Sequence, residues 1–389
     1  MRRIFIICLI ALLSLVLTYG FAGATVTGSC AACHTMHNSQ NNAHMIFLAP
    51  FETDTTPKGT LLRGTCIGCH GRGSANNIEI FGTSNTPQVL HSNATDLAGG
   101  NFGYVTATKV RDAADSGATQ NSVGHNVIDL TATYQETTLT TPPGDENTTG
   151  ITNTNFTCSG TNGCHGVRTV ADKYSAVSGA HHTNDTVLKY GLSLDETGQG
   201  STTGLSFRFL KGVKGAEDAN WHATVAANDH NEYKGTSTGG VSEDTTISSP
   251  GAAGSISGLC AECHGNFHGG SADIGTAAGS WIRHPVDIVL PNTGEYQYYN
   301  GRVPPAAATY SLDAPVARAD TINNTNYPSA KNTATPGTND AIVMCLSCHK
   351  AHASANADIL RWNYEDLNAG GGANTTRCFI CHTTKDTGG

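Results

Sequence analysis

Apolar residues along this 389-residue chain form few runs long enough to specify an element. One run stands out. Arg2 and Arg3 precede an apolar stretch from Ile4 to Leu17, broken only by Cys8 and Ser14, and Ala22-Gly23-Ala24 follows it. A basic start, a short apolar centre and a small-residue cleavage pattern describe an export signal over residues 1–24. The stretch is shorter than the ~20 residues that span a bilayer. No later segment approaches that length, so the expectation is an exported mature domain over residues 25–389 without a membrane span.

Beyond the signal the pattern fades. Helical spacing is best over Ala351 to Trp362, where Ile359, Leu360 and Trp362 share a face, and apolar residues cluster at Phe207, Phe209, Leu210 and Val213. Gly212 and Gly215 weaken a helix there. The tracts Thr131 to Thr157, Gly235 to Ser257 and Ala306 to Thr338 are rich in Thr, Gly, Ser, Ala, Asn and Pro and read as surface loops. No alternation is sustained enough for a large sheet. The expected fold is mostly irregular coil with a few short helices and no independent domains.

Composition sharpens this. Gly is 45 of 389 residues and charged residues are 14%, both departures from ordinary globular domains toward a loop-rich chain. The formal net charge of -9 offers nothing to a phosphate backbone, which excludes nucleic acid as a partner. The chemistry lies in 13 Cys and 17 His.

Cys8 belongs to the signal, and the remaining cysteines pair. Cys30-Ala-Ala-Cys33-His34, Cys66-Ile-Gly-Cys69-His70, Cys260-Ala-Glu-Cys263-His264, Cys345-Leu-Ser-Cys348-His349 and Cys378-Phe-Ile-Cys381-His382 are five copies of the c-type haem attachment pattern. A sixth is expanded: Cys158-Ser-Gly-Thr-Asn-Gly-Cys164-His165. Two cysteines about one helical turn apart reach the two porphyrin vinyl groups, and the next His turns its imidazole under the ring toward iron. Zinc sites give no reason for a His after every pair. In the expanded copy Gly160 and Gly163 permit a bulge, the alternative being a Cys158–Cys164 disulfide. The cofactor reading is six covalent c-type haems. The motif histidines lie 36, 95, 99, 85 and 33 residues apart, which predicts close pairs at both ends and excursions between them. With so little chain per haem, the haem row itself is expected to be the core of a haem-stapled multihaem cytochrome.

Each iron needs a second axial ligand. Mature Met residues are only Met36, Met45 and Met344, so His must serve, and paired imidazoles imply low potentials. His37, His268 and His352 follow their own motifs too closely to reach round their own haems and are assigned to neighbouring ones. His125, His230 and His284 are further candidates, with adjacent Asn or Asp side chains expected to orient the first two. His181 and His182 supply one ligand between them, with His182 preferred. No iron is then left open for a substrate, so electron transfer is expected and enzymatic activity is not.

Several strings also carry a resemblance: Cys30-Ala-Ala-Cys33-His34-Thr35-Met36-His37-Asn38-Ser39, Gly124-His125-Asn126, Arg283-His284-Pro285 and Cys345-Leu-Ser-Cys348-His349-Lys350-Ala351-His352-Ala353-Ser354. With six motifs in similar order, the chain resembles the extracellular, filament-forming hexahaem c-type cytochromes of metal-respiring bacteria. That resemblance implies bis-His haems in a continuous chain and a head-to-tail homopolymer in which His37 ligates a haem of the adjacent subunit. It also implies redox partner cytochromes, extracellular electron acceptors and a place at or beyond the cell surface, the alternative being the periplasm. The expanded motif and His181-His182 depart from the family pattern.

Overall fold

A computed structural model describes residues 30–40, 42–44, 46–48, 52–67, 78–80, 83–86, 99–100, 102–106, 123–130, 134–135, 140–144, 150–178, 207–210, 213, 215–216, 230–237, 254–265, 284–319, 331–370 and 376–385. The export signal, Cys69, His70, His182 and His268 lie outside the described residues.

Regular structure is sparse, as expected. The described helices are α1 (Cys30–Cys33), α2 (Gly103–Thr106), α3 (Lys173–Ala176) and α4 (Ile256–Ala261). Asp172 caps α3 by accepting from Ser175 N, and Ser255 caps α4 by accepting from Gly258 N. Twelve short strands pair only as two-stranded antiparallel ladders: β1 (Ser39–Gln40) with β2 (Ala43–His44), β3 (Ile46–Leu48) with β4 (Glu52–Asp54), and β5 (Ile78–Ile80) with β6 (Thr83–Thr86). In the C-terminal half β7 (Gly215–Ala216) pairs with β8 (Glu232–Tyr233), β9 (Ile288–Val289) with β12 (Ile342–Val343), and β10 (Ala308–Thr309) with β11 (Thr333–Ala334). Among the described residues no helix is long and apolar enough to cross a membrane.

Two sequence expectations need correction. No α-helix forms over Ala351 to Trp362; a single 3-10 turn occupies Ala357–Ile359, and Asp358 and Ile359 have φ of 56°. Backbone in that region cannot propagate a right-handed helix. Nor are the described parts of the tract from Ala306 to Thr338, residues 306–319 and 331–338, a surface loop, because Ala308, Tyr310, Ala314, Val316, Ala317 and Ala334 are all buried. Its composition misled because irregular chain buries small residues without any period.

The apolar residues gather in three clusters, and each touches haem-attachment motifs. The first joins Leu210, Val213, Leu259, Ile342, Met344 and Leu346 to Cys164. A second packs Leu290, Tyr299, Tyr310, Val343 and Ile380 against Cys381, and a third packs Ile67, Phe102, Val105, Val127 and Ala353 against Cys158. The chain therefore contributes apolar cores of its own between the motif turns, where the sequence pointed to the haem row alone.

Candidate haem-binding site

Each described motif closes by one hydrogen bond. The backbone N–H of the motif His donates to the carbonyl of the first Cys: His34 to Cys30 at 2.8 Å, His264 to Cys260 at 2.9 Å, His349 to Cys345 at 3.0 Å and His382 to Cys378 at 2.9 Å. These are helical-turn bonds four residues apart. The expanded motif makes the same bond across seven residues, His165 N donating to Cys158 O at 2.9 Å. Its surplus residues leave the turn as a loop held by Gly163 N to Gly160 O at 3.0 Å and Thr157 N to Asn162 O at 2.9 Å. Gly160 sits at φ 83°, and a Cβ on Gly163 would lie 2.5 Å from Ser159 N and 2.6 Å from Thr157 O. Both glycines are thus required by the bulge. No disulfide joins Cys158 to Cys164.

The motif rings are oriented through Nδ1. That atom faces Arg208 O at 2.9 Å in His165, Pro143 O at 2.7 Å in His264 and Asp358 O at 2.8 Å in His349. In His382 it faces Glu295 Oε1 at 3.3 Å. A carbonyl or carboxylate oxygen can only accept here, so Nδ1 carries the proton and Nε2 keeps its lone pair for a metal.

Three other imidazoles face these rings. His125 stands opposite His264 with centroids 6.1 Å apart, His352 opposite His165 at 6.0 Å, and His284 opposite His382 at 6.2 Å. Two metal–imidazole bonds of about 2 Å put ring centroids about 6 Å apart, so each gap fits one iron. The three facing rings are held in the same way, Nδ1 donating to Ala351 O at 2.8 Å in His125, Gly100 O at 3.1 Å in His352 and Pro285 O at 3.1 Å in His284. Burial, and in each case the opposed motif imidazole, lowers His125 and His352 from the usual range to about 4 and lowers His284 as well. These rings are neutral at pH 7, the form that binds metal. Backbone carbonyls orient them; the Asn and Asp side chains expected from the sequence do not.

One small scaffold holds two of these rings. Gly124 bridges Ala353, His125 N donates to His352 O at 3.1 Å, Ser354 N to Val123 O at 2.9 Å and His352 N to Gly99 O at 2.7 Å. From this shared ladder His125 serves the fourth motif and His352 the third. A Cβ on Gly124 would press into Val105 and Ala353, which explains the glycine beside the ligand.

His230 is a correction. Its Nδ1 faces Asn231 O at 2.8 Å, its Nε2 faces Lys331 O at 3.2 Å, and its face stacks on Tyr310 at 3.7 Å. Neither ring nitrogen is left for iron, and no motif histidine stands opposite it among the described residues. It is a core histidine beside the buried Arg318–Glu232 ion pair, where Nε meets Oε2 at 2.6 Å. His37, by contrast, lies exposed on the bend after the first motif, next to exposed Met36.

Successive motifs also touch. Arg63 N donates to Cys33 O at 2.8 Å and His34 bridges Leu62, which ties the first motif to the approach to the second. The Cys66 and Cys158 thiols hydrogen-bond each other, as do those of Cys260 and Cys345. Cys164 acts electrostatically on Cys260, and Cys378 on Cys348. The described parts of the six motifs thus follow one another in space in chain order. The long middle intervals return to the row, so closeness is not confined to the two ends. Asp129 lies with Cys66 and Cys158, all donor atoms within 4.8 Å of one another, but it is ion-paired to Lys173 and both thiols belong to attachment motifs.

The family described as Doubled CXXCH motif matches residues 336–387, which contain the last two motifs. Over 351 residues the chain is 28% identical to the C-type cytochrome OmcS of Geobacter sulfurreducens, covering 86% of this chain and 78% of that one. This chain is similar to the multihaem c-type cytochrome OmcS. The cytochrome also aligns with the cryo-EM structure of OmcS nanowires at TM-score 0.43, 21% identity and 95% coverage of both chains. A second structure, titled outer membrane cytochrome S filament, gives TM-score 0.44 and 20% identity over 94% of this chain and 92% of that one. The assignment rests on the sequence match and the motifs.

Proposed function

We propose that this cytochrome carries respiratory electrons along a row of six bis-His c-type haems, as the subunit of an extracellular filament that delivers them to external acceptors. The observation that carries the reading is the set of three facing imidazole pairs, each joining a motif His to a His from elsewhere in the chain. When bound, haem supplies a one-electron couple; the protein's part is to staple it, orient two neutral imidazoles at each iron and set the spacing between sites. Paired imidazoles close the axial positions, which favours a conduit over a reductase.

The sites not yet paired follow the same logic. His70, His182 and His268 remain proposed ligands. Among the described residues no imidazole faces His349 of the fifth motif, while His37 stands exposed after the first. A His37 that completes an iron of the adjacent subunit makes a heterologous contact, and such contacts propagate filaments when they do not close a ring. The filamentous form of OmcS supports this reading.

The test is compositional and spectroscopic. Intact mass is expected to equal the chain without residues 1–24 plus six haems, and the reduced protein is expected to bind almost no carbon monoxide. Five haems would remove the expanded motif from the row, and stoichiometric carbon monoxide binding would return the reductase reading.

A further inference from the structure

Two buried arginines show opposite degrees of satisfaction. Arg318 is enclosed by acceptors: Nε meets Glu232 Oε2 at 2.6 Å, Nη1 meets Asp340 O at 3.0 Å, and Nη2 meets Lys331 O at 3.1 Å and Thr333 O at 3.2 Å. That is what a structural buried cation requires. Arg168 has a side chain only 3% exposed, yet it makes one charged contact, Nη2 to Glu262 Oε2 at 2.5 Å, and its Nε and Nη1 have no hydrogen-bond partner. Its charge is therefore incompletely quenched by local dipoles.

The location gives that charge a use. Arg168 comes three residues after His165 of the third motif, and Glu262 lies inside the fourth, between Cys260 and Cys263. Their 2.5 Å contact joins the segment after the third motif to the inside of the fourth, and Cys164 of the third motif packs in the same cluster as Leu259, the neighbour of Cys260. One cation and one anion, both out of water, thus stand where the attachment edges of two successive haems meet.

We propose that Arg168 and Glu262 are opposed buried charges that balance each other at the third and fourth haems, so that loss of either one alone shifts the potentials of those haems. The inference rests on the multihaem reading above. A buried positive charge favours the reduced, less positive haem and raises its potential, while a buried negative charge does the reverse; low dielectric makes both effects large. In the intact pair the two nearly cancel. Arg168 and Glu262 bind no iron and act through the haems beside them.

The experiment is a spectroelectrochemical titration of the fully haem-loaded protein and its variants. Glu262→Gln strands the cation and is expected to shift one or two of the six reduction steps upward. Arg168→Gln strands the anion and is expected to shift the same steps downward. The double variant should return close to wild type, and Arg168→Lys, which keeps the charge, should shift little even if Arg168→Gln folds poorly. A merely structural bridge would move both single variants alike, through loosened packing, or move none; either result with six haems retained overturns the proposal. Intact mass separates the two levels of failure, because a wild-type chain lacking haem at the third or fourth motif overturns the multihaem reading itself.

Discussion

At the scale of single residues, what distinguishes a ligand from a bystander histidine is which nitrogen is left over. His125, His284 and His352 spend Nδ1 on a backbone carbonyl and stand about 6 Å from another imidazole, whereas His230 directs both nitrogens at carbonyls. The sequence shows a histidine in polar company in every case and cannot separate them. The difference predicts unequal effects of removal. His352→Ala is expected to open the iron held by His165, so that the reduced protein binds about one carbon monoxide per chain. His230→Ala should leave carbon monoxide binding unchanged and cost stability instead, since it removes a ring stacked on Tyr310; roughly 1–3 kcal/mol is the usual range for a buried polar contact of this kind. Thermal unfolding and carbon monoxide titration of the two variants read these outcomes separately.

At the scale of elements, the recurring unit is a turn closed from the motif His N–H to the first Cys carbonyl. It has no amphipathic period because its job is to place two sulfurs and one imidazole, and haem contact replaces the packing that would otherwise stabilise so short a helix. The expanded copy shows that the bond, and not the residue count, defines the unit. Gly163→Ala forces a methyl group against Ser159 N and Thr157 O, at an expected cost of about 1–3 kcal/mol for overpacking against unyielding backbone. Mass spectrometry is then expected to show a fraction of chains with one haem fewer, while Gly59→Ala, where a Cβ meets nothing within 4 Å, leaves the haem count intact.

For the whole molecule, irregular chain acquires a fixed shape by returning to the row after every excursion. The ladder between residues 123–125 and 352–354 spans more than half the sequence and couples the ligand sets of two sites. Such an arrangement leaves the two ends of the row for assembly. His37→Ala is expected to keep six covalent haems and abolish filaments, seen as single particles by negative-stain microscopy, with one haem per chain changed in its ligand spectrum. Normal filaments from this variant would assign His37 to its own chain.

The sequence by itself determined the chemistry: Cys and His spacing is set by covalent attachment and ligation, which are local, so the motifs, the cofactor class and the scarcity of regular structure were all legible. Only the tertiary structure decided the pairing. That His125 faces His264 and His352 faces His165, that His230 is buried in a polar core, and that the tract after Ala306 is packed inside all depend on contacts between residues far apart in the chain. Without a helical or strand period to carry that information, no local pattern records which distant segment returns to which haem site.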